Sequence, residues 1–113
     1  MSLTSLDRID DLCGGGADAD DVLRGVVEIL ADEPGVAFAE IRFVEDGRLV
    51  PGPSAGTPDE SRRRATPIAY RGAPVGELVV DGELDEGAAD HVADAISTFV
   101  LLGWDTGGAT WEP

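Results

Sequence analysis

The stretch Pro67-Ile68-Ala69-Tyr70-Arg71-Gly72-Ala73-Pro74-Val75-Gly76-Glu77-Leu78-Val79-Val80-Asp81 reads as two strands joined by a tight turn. Ala65 to Arg71 forms one arm and the aliphatic run Val75 to Val80 the other, with Gly72-Ala73 near the turn. Proline has no N–H to give to a ladder, so Pro67 puts the first arm at a sheet edge or at its own start.

Working towards the N-terminus, Pro51 to Pro58 holds three prolines and two glycines, too few donors and too little fixed φ for helix or ladder, and is expected to be a loop. Before it stands another hairpin. Val36 to Glu45 alternates, with Ala37, Ala39, Ile41 and Phe43 on one face and Phe38, Glu40, Arg42 and Val44 on the other. Asp46-Gly47 is a two-residue hairpin turn, and Arg48 to Val50 returns as a strand.

Helical spacing precedes and follows the hairpins. Leu3, Leu6, Ile9 and Leu12 recur every three residues until Gly14-Gly15-Gly16, so residues 1–16 are a short helix and a glycine link. Asp18 suits an N-cap, Asp20 and Asp21 suit the positive end of the helix dipole, and Val22, Leu23, Val26, Val27 and Leu30 trace one face as far as Pro34-Gly35. Asp85 or its neighbours cap a last helix with Ala88, Val92, Ala95, Ile96 and Phe99 as its buried stripe. Residues 104–113, with Trp104 and Trp111, read as a non-helical tail.

The order helix, helix, hairpin, hairpin, helix implies one α+β domain over residues 1–113, an antiparallel sheet with its helices on one face. Within it, Pro67 to Asp81 resembles the last two strands of GAF domains: a proline-led strand, a turn with Gly, then Val-Gly and an apolar run. The helix from Asp18, the strand Phe38 to Val44 and the helix from Asp85 also fall in the GAF order, so the likeness covers most of the chain. In GAF domains that hold cyclic nucleotides, tetrapyrroles or haem, a long segment with extra helices forms the lid between the second strand and the last hairpin. Here only about Pro51 to Arg64 fills that place, implying a minimal member with a reduced or open pocket and no tight cyclic-nucleotide binding. The chain also lacks a bilin-attaching Cys there, and Cys13 stands apart from the positions of the cysteines used by free methionine sulfoxide reductases of the family.

Composition narrows the functions. Twenty-three acidic residues face eight basic ones, all Arg, for a net charge of −15, which disfavours nucleic acid as a partner. The acidity fits a saline cytoplasm or a GC-rich genome, and the carboxylates form no calcium loop. One Cys and one His leave no metal site and no disulfide, so no cofactor is expected. Without an apolar run of roughly 18 residues or a signal-like N-terminus, the reading is cytoplasmic, with no membrane partner.

The candidate ligand-binding residues are Phe38, Glu40, Arg42, Tyr70 and Glu77; Phe38, Glu40, Arg42 and Glu77 are expected on the sheet face away from the helices, and the pattern leaves the face of Tyr70 open. Their charges either pair and face water or hold a small polar ligand. Arg62-Arg63-Arg64 either clamps an anion or neutralises nearby acids, and His91 reads as a boundary residue near Asp90 and Asp94. Because no nucleophile–base pair can be assembled, the chain is expected to be no enzyme but a GAF-like regulatory or interaction module. A small enzyme or ligand carrier on the open sheet face is the alternative. Leu101 lies opposite the Val92 and Ile96 face and needs cover, from a second subunit in a homodimer or from the tail.

Overall fold

The structure is a computed structural model and describes residues 3–85 and 87–103. Helices α1 (Leu3–Gly14) and α2 (Ala19–Ala31) precede strands β1 (Val36–Glu45) and β2 (Arg48–Gly56). A 3-10 turn, Glu60–Arg62, leads into β3 (Arg63–Tyr70), β4 (Ala73–Gly82) and helix α3 (Ala88–Gly103). The strands form one antiparallel sheet in the order β2-β1-β4-β3. The two hairpins therefore join through their middle strands, β1 and β4, and leave β2 and β3 as edges.

All three helices stand on one side of the sheet. Helix α2 packs on β1 and β2, α3 packs on β3 and β4, and α1 packs on α2 and α3. The core between them is Val22, Leu23, Val26, Val27, Ile29 and Leu30 of α2 against Ala39, Ile41, Phe43, Ile68, Leu78 and Val80 of the sheet, closed by Ile9 of α1 and Val92 and Ile96 of α3. Burying a side chain of this kind stabilises by about 1.5–3 kcal/mol, so this interlayer is what holds the layers together. At the base of the bundle the Ser5 hydroxyl donates to the buried Glu33 carboxylate, tying the start of α1 to the end of α2.

Four expectations need correcting. The Pro51 to Pro58 loop is largely strand, because β2 runs on to Gly56. It is an edge strand, so a proline can turn its missing N–H to solvent, and a bulge where three residues of β1 (Glu40 to Arg42) face four of β2 (Ser54 to Pro51) absorbs the irregularity. In the second hairpin the turn residues are Arg71-Gly72, not Gly72-Ala73. Both take positive φ, 53° and 83°, as Asp46 and Gly47 do at 52° and 77°, which is the backbone a right-twisted two-residue hairpin requires.

The α3 stripe buries Ala93 and Val100, whereas Ala95 and Phe99 are only partly covered. Gly76 lets Val100 close down on the sheet: a Cβ at Gly76 would lie 2.9 Å from a Val100 methyl and 2.3 Å from the Arg42 carbonyl oxygen. His91, finally, is exposed, with Nε2 3.2 Å from Asp10 Oδ1 on α1. It links two helices across the surface. The tail 104–113 lies outside the described residues, and none of the described helices is long and apolar enough to cross a membrane.

Candidate functional site

Because Ala39, Ile41, Leu78, Val80 and Ile68 face the helices, the residues alternating with them form the outer face of the sheet. Registers place these in rows. Gly56, Phe38, Asp81 and Arg63 form the first row, Ser54, Glu40, Val79 and Ala65 the second, and Pro51, Arg42, Glu77 and Pro67 the third. Four of the five residues expected at a site, Phe38, Glu40, Arg42 and Glu77, thus sit on adjacent positions of β1 and β4. Tyr70 stands apart. Two residues beyond the core-facing Ile68, it falls on the helix side at the end of β3, where the Arg71 guanidinium lies 5.3 Å from its ring centroid.

The first row is the most constrained. Arg63 grips Asp81 at two points, Nε to Oδ1 at 2.8 Å and Nη2 to Oδ2 at 2.9 Å, and the Asp59 backbone N–H donates to Oδ2 at 2.7 Å. Asp81 is fully buried. The hydrogen bonds from Arg63 hold its carboxyl below the ordinary carboxylate value, outweighing burial, with help from the Asp59 N–H and the charges of Arg63 and Arg42. The Arg63 guanidinium also stands 5.8 Å over the Phe38 ring. The connection from β2 to β3 therefore crosses the outer face at this end as a short strap, fixed by the Thr57 N–H to the Ala37 carbonyl at 2.8 Å and by Asp59 on Asp81. These hydrogen bonds hold the strap at the first row, on Ala37 and Asp81.

In those rows Arg42 donates from Nε to Glu40 Oε1 at 2.8 Å, with the two side chains 29% and 13% exposed. Val79 beside them is fully buried. A half-sunk ion pair on an apolar floor is a place where a charged group loses part of its water without losing its partner. The sequence does not single out Asp81 and Val79, and Arg63 stands in it only as part of Arg62-Arg63-Arg64, expected to clamp an anion or neutralise nearby acids; its partner is the acid Asp81. Period-2 alternation from Leu78 and Val80 puts Val79 and Asp81 on the outer face, and an acid in an apolar strand demands a cation across the ladder.

The helix layer carries the thiol of Cys13, on the opposite side of the sheet. Cys13 is half-buried against the core, and burial, then the nearby Asp10 charge, pushes its thiol up from the ordinary value. Among the described residues no three His, Cys, Asp or Glu side chains gather to hold a metal ion.

A four-stranded antiparallel sheet with its helices on one face and a strap across the other defines a GAF-like fold. The solved structures say the same. The chain is similar to the GAF domain from Acinetobacter phosphoenolpyruvate-protein phosphotransferase, with TM-score 0.69 and 17% identity over 88% of this chain and 94% of that one. It is also similar to fRMsr of Staphylococcus aureus in complex with substrate, with TM-score 0.68 and 14% identity over 86% of this chain and 94% of that one. The reduced form of that protein gives TM-score 0.67 at 14% identity, over 86% of this chain and 93% of that one. No protein-family model matches the sequence, and no curated protein does. One expectation is overturned here. A protein of this fold is solved with its substrate, so the fold serves enzymes as well as binding modules, and the reading of the chain as no enzyme is withdrawn.

Proposed function

We propose that the chain is a GAF-like regulatory or interaction module, dimeric through its helical side, whose outer sheet face binds a small polar ligand through an anionic group. The observation that carries this reading is the pose of Arg42. Its Nε is spent on Glu40, which fixes the guanidinium plane, while its terminal nitrogens have no partner among the described residues. A pre-oriented fork of that kind takes a carboxylate or phosphate without first paying the entropy of ordering the side chain. Buried Val79 and Phe38 supply an apolar floor, and Glu77 opposite Arg42 adds a carboxylate for a cationic group of the same ligand.

The dimer is supported by Leu101 and Leu102, 48% and 68% exposed at the end of α3. Large apolar side chains adjoining on a helix end are commonly covered by another surface.

A thermal-shift screen of amino acids, small carboxylic acids and nucleotides tests the ligand, since a compound that binds only the native state raises the melting temperature. A hit whose shift disappears in Arg42→Ala supports the outer face. A hit that Arg42→Ala leaves unchanged places the ligand elsewhere and overturns the reading. Catalysis on the same face is the second reading, favoured by the substrate complex of fRMsr, and incubating each hit with the protein and following it by NMR separates conversion from binding.

A further inference from the structure

We propose that Arg62 and Arg64 form a binding site for a phosphoryl-type dianion at the edge of the sheet, apart from the Arg42 face. Arg62, Arg63 and Arg64 are consecutive and make up three of the chain's eight basic residues. With Ser61, Gly82 and Glu83 they line a cavity of about 260 Å³. Each guanidinium is engaged differently. Arg63 is paired through Nε and Nη2 with Asp81 on the outer face. Arg62 is anchored by one nitrogen, Nη2 donating to the Gly35 carbonyl at 2.9 Å, which fixes its direction and neutralises none of its charge.

Arg64 pairs in register with Val80, whose side chain is in the core, so its stem leaves on the side of the sheet opposite to Arg63. It has no carboxylate partner among the described residues, in a chain with 23 acids. A guanidinium presents paired N–H donors that match two oxygens of a phosphoryl group, and two such forks at one cavity suit a doubly charged anion better than a single carboxylate.

The surrounding acids set the strength. Asp59 approaches Arg62, and Glu60 approaches Arg63, only at 3.9 Å. Asp59 already accepts from the Ser61 hydroxyl at 2.7 Å, Glu60 is 81% exposed, and Glu83 lines the cavity itself. Asp85 and Asp90, both exposed, line a neighbouring cavity with Arg64. Exposed charges of this kind are partly screened by salt, so they weaken the site without abolishing it.

The test is a titration of ¹⁵N-labelled protein with inorganic phosphate at constant ionic strength, reading the amides of Ser61 to Arg64, Gly82 and Glu83. Saturable shifts are expected, weakened tenfold or more in Arg64→Ala and unchanged in Arg24→Ala on the exposed side of α2. Arg64 has no described partner to lose, so its variant keeps the fold, which an unchanged melting curve verifies. Titration with O-phosphoserine distinguishes the source: equal affinity assigns a free anion, and a tenfold preference assigns a phosphorylated side chain. No saturable shift with either compound, or shifts that Arg64→Ala leaves intact, overturns the proposal. The outer face is read by different amides, those of Glu40, Arg42 and Glu77, so the two sites fail independently.

Discussion

Arg63 on β3 and Asp81 on β4 face each other across the ladder and meet in a two-point ion pair, with Asp81 fully buried and the strap residue Asp59 hydrogen-bonded to the same carboxylate. The pair is a tie between three segments: the edge strand, the middle strand and the crossing strap. A buried carboxylate stripped of its partner is costly, and a buried partner group left without its carboxylate is costly too.

Asp81→Ala removes the anchor of both Arg63 and the Asp59 N–H. The melting temperature should fall by about 5–10 °C, the shift expected for one buried interaction in a domain of this size. Arg63→Lys should recover only part of the loss from Arg63→Ala, because an ammonium cannot reproduce the two-point fork. Equal melting temperatures for wild type and Asp81→Ala, measured by circular dichroism, would refute the tie.

The same pair predicts an acid dependence. The native carboxyl of Asp81 lies below its ordinary value of 3.8, so its contribution to stability is complete above that pH and is lost as the pH falls through the lower native value. Urea midpoints for wild type and Asp81→Asn should therefore differ by a constant amount from pH 7 to 5. The gap should shrink below pH 3.8. A gap that persists unchanged to pH 2 would mean that ionisation of Asp81 contributes nothing.

Gly76→Ala should destabilise by about 2–3 kcal/mol, because the added methyl meets the Arg42 carbonyl and a Val100 methyl, and backbone in a central ladder yields little. Gly47→Ala removes a glycine with open space around it, so its cost is confined to the positive φ of 77°, about 1 kcal/mol. Denaturant unfolding of the two variants should rank them in that order.

With a net charge of −15, carboxylate repulsion opposes the compact state. Raising salt should raise the melting temperature, with most of the gain reached by about 1 M, where the screening length is roughly 3 Å. Because Asp81 is buried and its bonds to the partly exposed Arg63 are only weakly screened, the loss caused by Asp81→Ala should change less with salt than the melting temperature itself. A melting temperature that is flat across this range would exclude repulsion as a significant cost.

Leu101 tests the dimer. At 48% exposure beside Leu102 at 68%, it lies outside the buried stripe of α3, and Leu101→Asp should give a folded monomer by light scattering. A wild type already monomeric at high protein concentration would end that proposal.

Much of this architecture is written locally. The three- and four-residue spacing of apolar side chains in α2, the alternation of β1 and the Asp46-Gly47 turn each follow from rules that act over one or two turns of chain. Together they imply the order of elements and the antiparallel sheet. The same alternation puts Phe38, Glu40, Arg42 and Glu77 on one face, since side chains of a strand and its neighbour share faces once the register is known. Composition alone carried the net charge, and with it the argument against nucleic acid as a partner.

What lies beyond local rules is whatever depends on a partner distant in the chain. Pro51 to Gly56 reads as loop because its prolines lack donors, yet β1 supplies the ladder on one side and the sheet edge excuses the other. Arg71 looks like strand and Gly72-Ala73 like turn, until the twist of two paired strands demands positive φ at Arg71 and Gly72. The separation of Tyr70 from the other site residues, the grip of Arg63 on Asp81 and the unpartnered Arg64 all depend on registers between β3 and β4 and on where the strap crosses. Those are decided by packing free energy summed over the whole sheet, which no window of sequence contains.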